Sequence, residues 1–112
     1  MDTKNQILMI DTTTLANWLE FGNACLYDVR ENHEFARARI PGSILLPLSI
    51  FTPDQVLVPP DTKLIFHCRS GVRCGQAANI MQVFGFRGHI YRLEGGIIAW
   101  QANGGEIKPG DS

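Results

Sequence analysis

The chain has few cysteines, almost no net charge and no long hydrophobic run, and each shortage argues against a class of protein. Its three cysteines, an odd number, do not suit a disulfide scaffold and favour a reducing compartment, so we expect a cytoplasmic protein. The formal net charge of −1 gives no support for a nucleic-acid or membrane-surface partner. No apolar run approaches the ~18 residues of a membrane span. The first residues lack the pattern of a secretory signal.

What the chain does contain is an alternation of strand-like and helix-like segments. Its 112 residues, 45% of them apolar, suit one globular domain over residues 1–112, with a core over about 8–105. Strands are predicted at residues 6–10, 24–29, 43–46, 64–66 and 89–92, and helices at 15–21, 31–38, 54–57, 74–84 and 97–103. The polar tail after residue 104 is expected to be loose. This alternation predicts an α/β fold with a parallel sheet covered by helices on both faces.

The most informative stretch is KLIFHCRSGVRCGQAANIMQVF, at residues 63–84. It predicts a buried strand, a tight polar loop and a helix whose apolar face is formed by Ala77, Ile80, Met81 and Phe84, which recur at three- and four-residue steps. Cys68 stands where the strand ends. In parallel sheets, sites lie beyond the carboxyl ends of the strands, so the loop is the candidate site.

The loop has the composition of an anion cradle around a thiolate. Inward-turned backbone N–H groups, the N-terminus of the following helix and two arginines all favour the ionised form of a cysteine and lower its pKa. The same groups suit an anionic substrate. We therefore predict a nucleophile at Cys68 and substrate contacts from the rest of the loop, Arg69, Ser70, Gly71, Val72 and Arg73.

Other candidates are interpreted as supporting or structural residues. Asp28 and Arg30 follow an apolar strand, and we expect them to support the site through an ion pair or hydrogen bonds. Cys25 lies among apolar neighbours and is predicted to be core. Cys74 is interpreted as a small residue at a helix start, with a resolving thiol as the less favoured alternative. Histidine and cysteine spacing matches no common zinc site, so no metal is expected.

The loop resembles the active-site loop of the rhodanese family, in which a cysteine opens a six-residue loop. DVRE at residues 28–31 with IPGS at 40–43, and LEGGI at 93–97 with Ala99-Trp100, resemble the family's upstream and downstream signatures, in the family order. Ala38-Arg39 departs from the Gly-His usual before Ile-Pro-Gly. The resemblance implies a three-layer α/β/α fold with a five-stranded parallel sheet in the order 1-5-4-2-3.

The same resemblance implies a sulfurtransferase that carries a persulfide on Cys68. Its partners would be a small anionic sulfur donor such as thiosulfate and a thiophilic acceptor, either cyanide, a thiol or a protein, with no metal or organic cofactor. The residues carry no signal for an oligomeric state.

Two alternatives remain open. A cysteine phosphatase or arsenate reductase is suggested by His67-Cys68 before an arginine, but only four residues separate Cys68 from Arg73, where phosphatase loops have five. A loop one residue shorter is small for a tetrahedral oxyanion. The other alternative is a non-catalytic, regulatory rhodanese-homology module.

Overall fold

A computed structural model describes residues 5–109 as a parallel sheet between helices. The strands are β1 Ile7–Ile10, β2 Ala24–Asp28, β3 Ile44–Leu45, β4 Lys63–His67 and β5 Ile90–Leu93, and the helices are α1 Thr12–Phe21, α2 Asn32–Arg37, α3 Val72–Phe84 and α4 Gly96–Ala102. The five strands pair in the order β1-β5-β4-β2-β3, all in parallel. The expected fold class and strand order are confirmed. In the described part of the chain, no helix has the length and apolar character needed to cross a membrane.

The core is divided in two by the sheet, and β4 contributes to both halves. Leu64 and Phe66 point to the α3 side, whereas Ile65 points to the side covered by α1 and α4. This follows from the alternation of side chains along a strand. Because β4 is buried on both faces, its sequence is a continuous apolar run. The strand that leads into Cys68 is therefore held in place by both halves of the core.

Helix α3 turns a different face to the sheet from the one predicted. Ala77 and Met81 are buried as expected, but Ile80 is 38% and Phe84 63% exposed. The buried stripe instead includes Cys74 and Ala78 with Ala77 and Met81, at steps of three and four residues. Small side chains on this stripe allow the helix to lie close to the sheet, and Ile80 and Phe84 fall on a neighbouring stripe. The rotation places the thiol of Cys74 inside the molecule.

The short helix predicted near residues 54–57 is a single 3₁₀ turn at Pro53–Gln55, and a second such turn lies at Leu48–Ile50. The Tyr27 hydroxyl donates to the carbonyl oxygen of Leu57 at 3.0 Å and accepts from its N–H at 2.9 Å. These side-chain bonds use the backbone groups that a helix would need for itself, so the segment stays irregular.

The tail is also more ordered than predicted, as far as residue 109. Arg39 and Lys108 pair as an antiparallel bridge, with N–H to oxygen distances of 2.8 and 2.9 Å. Trp100 Nε1 donates to the carbonyl oxygen of Glu106 at 2.8 Å. Backbone groups of the tail therefore have specific partners. The remaining part of the predicted loose tail, residues 110–112, and residues 1–4 of the predicted domain lie outside the described residues.

Candidate active site

The loop of residues 68–73 joins the end of β4 to the start of α3 and rests on the first turn of α4. Ile97 N–H donates to the Cys68 carbonyl oxygen at 2.9 Å, and Ile98 N–H donates to that of Arg69 at 3.2 Å. These bonds hold two carbonyl groups of the loop toward α4. They leave later N–H groups of the loop free to turn toward the Cys68 sulfur.

Gly96 allows this contact between loop and helix. It has a φ of +60°, and a Cβ on it would lie 2.4 Å from the Arg69 carbonyl oxygen and 2.5 Å from that of Cys68. Any side chain would push the loop away from α4. Gly96 of the LEGGI motif therefore has a direct role in placing Cys68.

Cys68 is held as an anion by its neighbours. Its Sγ accepts from Gly71 N–H at 3.1 Å, and the residue is 1% exposed. The pKa of Cys68 is lowered to about 5, chiefly by a hydrogen bond from the Cys74 thiol and further by backbone N–H groups of Cys74, Gly71 and Ser70, although burial opposes the shift. The thiolate is thus the dominant form near neutral pH, as a nucleophilic cysteine requires.

The other predicted loop residues surround Cys68, but their side chains differ in exposure. Arg69, Ser70 and Val72 are exposed, and Gly71 is buried with a φ of +119°. Glycine adopts that φ without the strain that a Cβ would bring. The loop therefore presents polar and charged groups to solvent while its backbone encloses the sulfur.

Arg73 has a partner that the sequence did not suggest. Its Nη1 and Nη2 donate to Glu34 Oε1 and Oε2 at 2.7 and 2.9 Å, a two-point contact between α3 and α2. The Arg73 hydrogen bond lowers the pKa of Glu34 to about 2. A cation at a helix N-terminus opposes the helix dipole, and here a carboxylate compensates it. Contact of Arg73 with a substrate stays a prediction.

Asp28 and Arg30 form the buried ion pair that was one of the two expected possibilities. Arg30 Nη2 lies 2.7 Å from Asp28 Oδ2 and also donates to the Ala38 carbonyl oxygen at 2.6 Å. His67 lies behind this pair, with Nε2 3.5 Å from Asp28 Oδ2. Burial lowers the pKa of His67, so its ring stays neutral. The group fixes the carboxyl ends of β2 and β4, and its support of the site remains a prediction.

Arg92 is a site residue that sequence reasoning missed. It lies on β5, and its Nη2 donates to the Gly71 carbonyl oxygen at 2.6 Å. Arg92 shares a strand face with the buried Ile90, since side chains two apart point the same way. An arginine on the inward face of a central strand was the available signal. Glu34 had no comparable signal, because it comes near Arg73 only through the fold.

A cleft of about 520 Å³ opens beside the loop, between α2 and α4. Three of its lining residues are arginines, and the lining consists of Arg30, His33, Glu34, Arg37, Ala38, Arg69, Ile97, Ile98 and Gln101. Within residues 5–109, no three histidine, cysteine or acidic side chains are grouped to hold a metal ion. The arrangement therefore offers a thiolate next to a positively charged cleft.

Comparisons with known proteins agree with this geometry. The family model of the rhodanese-like domain matches residues 11–103. A sulfurtransferase of Allochromatium vinosum is 33% identical over 96 residues, covering 85% of this chain and 89% of the relative. The YtwF protein of Bacillus subtilis is 30% identical over 105 residues, covering 93% and 97%. A rhodanese-related protein of Thermoplasma volcanium superposes with a TM-score of 0.75 at 26% identity, covering 89% and 96%. The chain belongs to the rhodanese-like family.

Proposed function

We propose that this protein is a sulfurtransferase that moves sulfane sulfur through a persulfide on Cys68. The observation that carries the proposal is the environment of the Cys68 sulfur, which accepts an N–H bond at 3.1 Å and has a pKa lowered to about 5. Membership of the rhodanese-like family and the sulfurtransferase among the relatives support it. A thiolate ready at neutral pH is what attack on a sulfur donor requires.

The proposed reaction has two displacements. The Cys68 thiolate attacks the outer sulfur of thiosulfate, the S–S bond of the donor breaks, and sulfite leaves with the bonding electron pair. The acceptor, cyanide or a thiolate, then attacks the outer sulfur of the persulfide, and Cys68 leaves as a thiolate again. Each step exchanges one sulfur bond for another, so neither a metal nor an organic cofactor is required.

The loop and the cleft have different proposed tasks. Backbone N–H groups of the loop hold the thiolate and then the persulfide anion, and the exposed Arg69 and Ser70 meet the donor. Arg73 would add its charge at the start of α3. The cleft lined by Arg37 and Arg69 would attract a negatively charged thiol or protein acceptor to the side of the loop. With three unpaired cysteines, the chain suits a reducing compartment such as the cytoplasm.

Intact mass after thiosulfate treatment tests the proposal. We expect one added sulfur atom on the wild type, none on Cys68→Ser and one on Cys25→Ser, because Cys25 is a buried β2 residue that pairs with Leu64, at the opposite end of β4 from Cys68. Cys68→Ser should also fold normally yet transfer no sulfur to cyanide, because a serine hydroxyl does not ionise in this cradle. Substantial transfer by the folded Cys68→Ser variant would contradict the assignment.

The same samples separate the alternatives. A phosphatase or arsenate reductase would turn over a phosphate ester or arsenate and take up no sulfur. A regulatory module would neither turn over these substrates nor take up sulfur, although its cysteine would still be ionised. If the wild type gains no sulfur from thiosulfate or from an organic persulfide, the sulfurtransferase proposal is wrong.

A further inference from the structure

Gly71 is held by hydrogen bonds at both of its ends. Its N–H donates to Cys68 Sγ at 3.1 Å, and its carbonyl oxygen accepts from Arg92 Nη2 at 2.6 Å. Arg92 lies on β5, so the second bond joins the loop to the strand that pairs with β4. Glycine has more backbone freedom than any other residue, so its conformation depends on such bonds. Arg92 therefore fixes one end of the residue whose other end holds the Cys68 sulfur.

Gly75 makes room for the Arg92 guanidinium on the surface of α3. A Cβ at Gly75 would lie 2.9 Å from Arg92 Nη2 and 3.0 Å from its Cζ. Both distances are shorter than an ordinary contact between non-bonded heavy atoms, so any side chain at this position would displace the guanidinium. Glycine inside a helix is less favourable than alanine. The close approach of Arg92 accounts for a residue that otherwise weakens the helix.

The charge of Arg92 differs from the other charges near the loop, because no carboxylate compensates it. Within residues 5–109, no acidic side chain forms an ion pair with Arg92, and its Nε is buried without a hydrogen-bond partner. Burying an uncompensated cation is costly, so a negative charge on the loop stabilises it. The Cys68 thiolate supplies such a charge and is separated from Arg92 by the single residue Gly71.

The remaining ionisable groups around the loop are paired, neutral or exposed. Helix α4 carries no ionisable side chain. The other elements contribute the ion pairs Arg73–Glu34 and Arg30–Asp28, the neutral His67, the exposed Arg69 and Glu94, and the Cys74 thiol, which donates to the Gly71 carbonyl oxygen at 3.2 Å.

We propose that Arg92 is a positioning residue that holds Gly71 with its N–H group directed at the Cys68 sulfur, and that Gly75 provides the space for its guanidinium. The proposal rests on the proposed function, because the same N–H group would hold the thiolate and the persulfide formed from it. Without the bond from Arg92, Gly71 is free to adopt other backbone conformations. The thiolate then loses part of its stabilisation, so Cys68 ionises at a higher pH.

The pH profile of Cys68 alkylation by iodoacetamide tests this role in the full chain, with peptide mapping to confirm the alkylated residue. Arg92→Met removes the donor and the charge but keeps a long side chain. We expect its alkylation midpoint to rise by about one pH unit. Arg87→Met removes an exposed arginine three residues beyond the end of α3 and is the matched control. Its midpoint should stay within a few tenths of a unit of the wild type.

Gly75→Ala tests the same contact from the side of α3. The added Cβ displaces the guanidinium without removing its charge, so the midpoint should rise here too, by less than in Arg92→Met. In the Arg92→Met background no guanidinium is left to displace, so Gly75→Ala should cause no further rise. Two changes that act through one contact are not additive. Alanine favours the helix, so this variant tests the proposal even if Arg92→Met does not fold.

The outcomes distinguish a positioning residue from a merely structural one. An unchanged midpoint in Arg92→Met or in Gly75→Ala, or an equal rise in Arg87→Met, would overturn the proposal. So would a Gly75→Ala rise that is the same with and without Arg92. Alkylation does not depend on sulfur transfer. A protein without sulfurtransferase activity but with the expected shifts would therefore refute the proposed function and leave the role of Arg92 intact.

Discussion

At the scale of single residues, Arg73 combines two possible tasks in one guanidinium. The contact with Glu34 uses an N–H of each terminal nitrogen and joins α3 to α2. A guanidinium has five N–H groups, so those that do not bind Glu34 can still bind an anionic sulfur donor. Glu34 should also weaken the binding of an anionic sulfur donor to Arg73, because its carboxylate competes for the same positive charge.

If Arg73 binds the sulfur donor, Arg73→Ala should lower kcat/KM for thiosulfate by about ten- to a hundredfold, the value of one charge-assisted contact. Glu34→Gln should act in the opposite direction, because it releases the guanidinium from its carboxylate, so the KM for thiosulfate should stay equal or fall. Arg73→Lys should restore the charge but not the two-point contact. Steady-state kinetics of the variants measure these differences.

Arg87→Ala, which removes an exposed arginine three residues beyond the end of α3, is the control for the loss of a positive charge. If Arg73 serves only to hold α2 on α3, the alanine variant and Glu34→Gln lose the same contact. Both would then lower kcat/KM and the melting temperature by similar amounts, and the substrate role of Arg73 would be wrong.

At the scale of elements, the site is a loop supported by a helix that follows it by more than twenty residues. N–H groups in the first turn of α4 donate to two carbonyl oxygens of the loop. Because Gly96 has no side chain, the loop and α4 can lie in direct contact. The orientation of the loop amides thus depends on α4. A substitution of Gly96 should therefore change the hydrogen bonds to the Cys68 sulfur, although the two residues are far apart in sequence.

We expect Gly96→Ala to reduce sulfur transfer at least tenfold and to raise the pH at which Cys68 is alkylated. The added Cβ would lie 2.4 Å from a backbone oxygen of the loop, so the loop must move. Its backbone N–H groups would then no longer point at the Cys68 sulfur. Gly22→Ala is the matched control, because Gly22 has a φ of +76° and nothing within 4 Å of the added Cβ. Both variants carry the strain of roughly 1 kcal/mol that a left-handed alanine brings. An equal loss of activity in both would mean that strain alone, and not displacement of the loop, is responsible.

The loop and the individual strands could be predicted from the sequence because their signals are local, whereas the strand order followed only from the family resemblance. The apolar run before Cys68 and the glycine after it lie within one stretch of chain, and each predicts its own element. The partners of the loop could not be predicted in the same way. Arg92 meets Gly71 across 21 positions and Glu34 meets Arg73 across 39, contacts that exist only once β5 and α2 are packed. For α3, the periodicity predicted a helix correctly, but two adjacent apolar stripes left its inward face ambiguous.

At the scale of the whole molecule, the low pKa of Cys68 couples the site to the stability of the fold. The pKa of this thiol is about 5 in the folded protein, against about 8.5 for an unperturbed cysteine in the unfolded chain. Between these values the unfolded state binds one proton more than the folded state, so the free energy of unfolding rises with pH. The contribution is fully present above about pH 8.5 and is lost as the pH falls through about 5.

Cys68→Ser removes this titration, so the difference in unfolding free energy between wild type and variant should grow by at most ~1.4 kcal/mol for each pH unit from 5 to 8. Urea unfolding in the presence of a reductant, repeated across this range, measures the difference. Cys25→Ser serves as the control, since burial raises the pKa of Cys25 and this thiol stays protonated in both states below about pH 8.5. A flat difference for Cys68→Ser would mean that Cys68 stays protonated in the folded protein. The thiolate on which the proposed chemistry depends would then have to form only when a substrate binds.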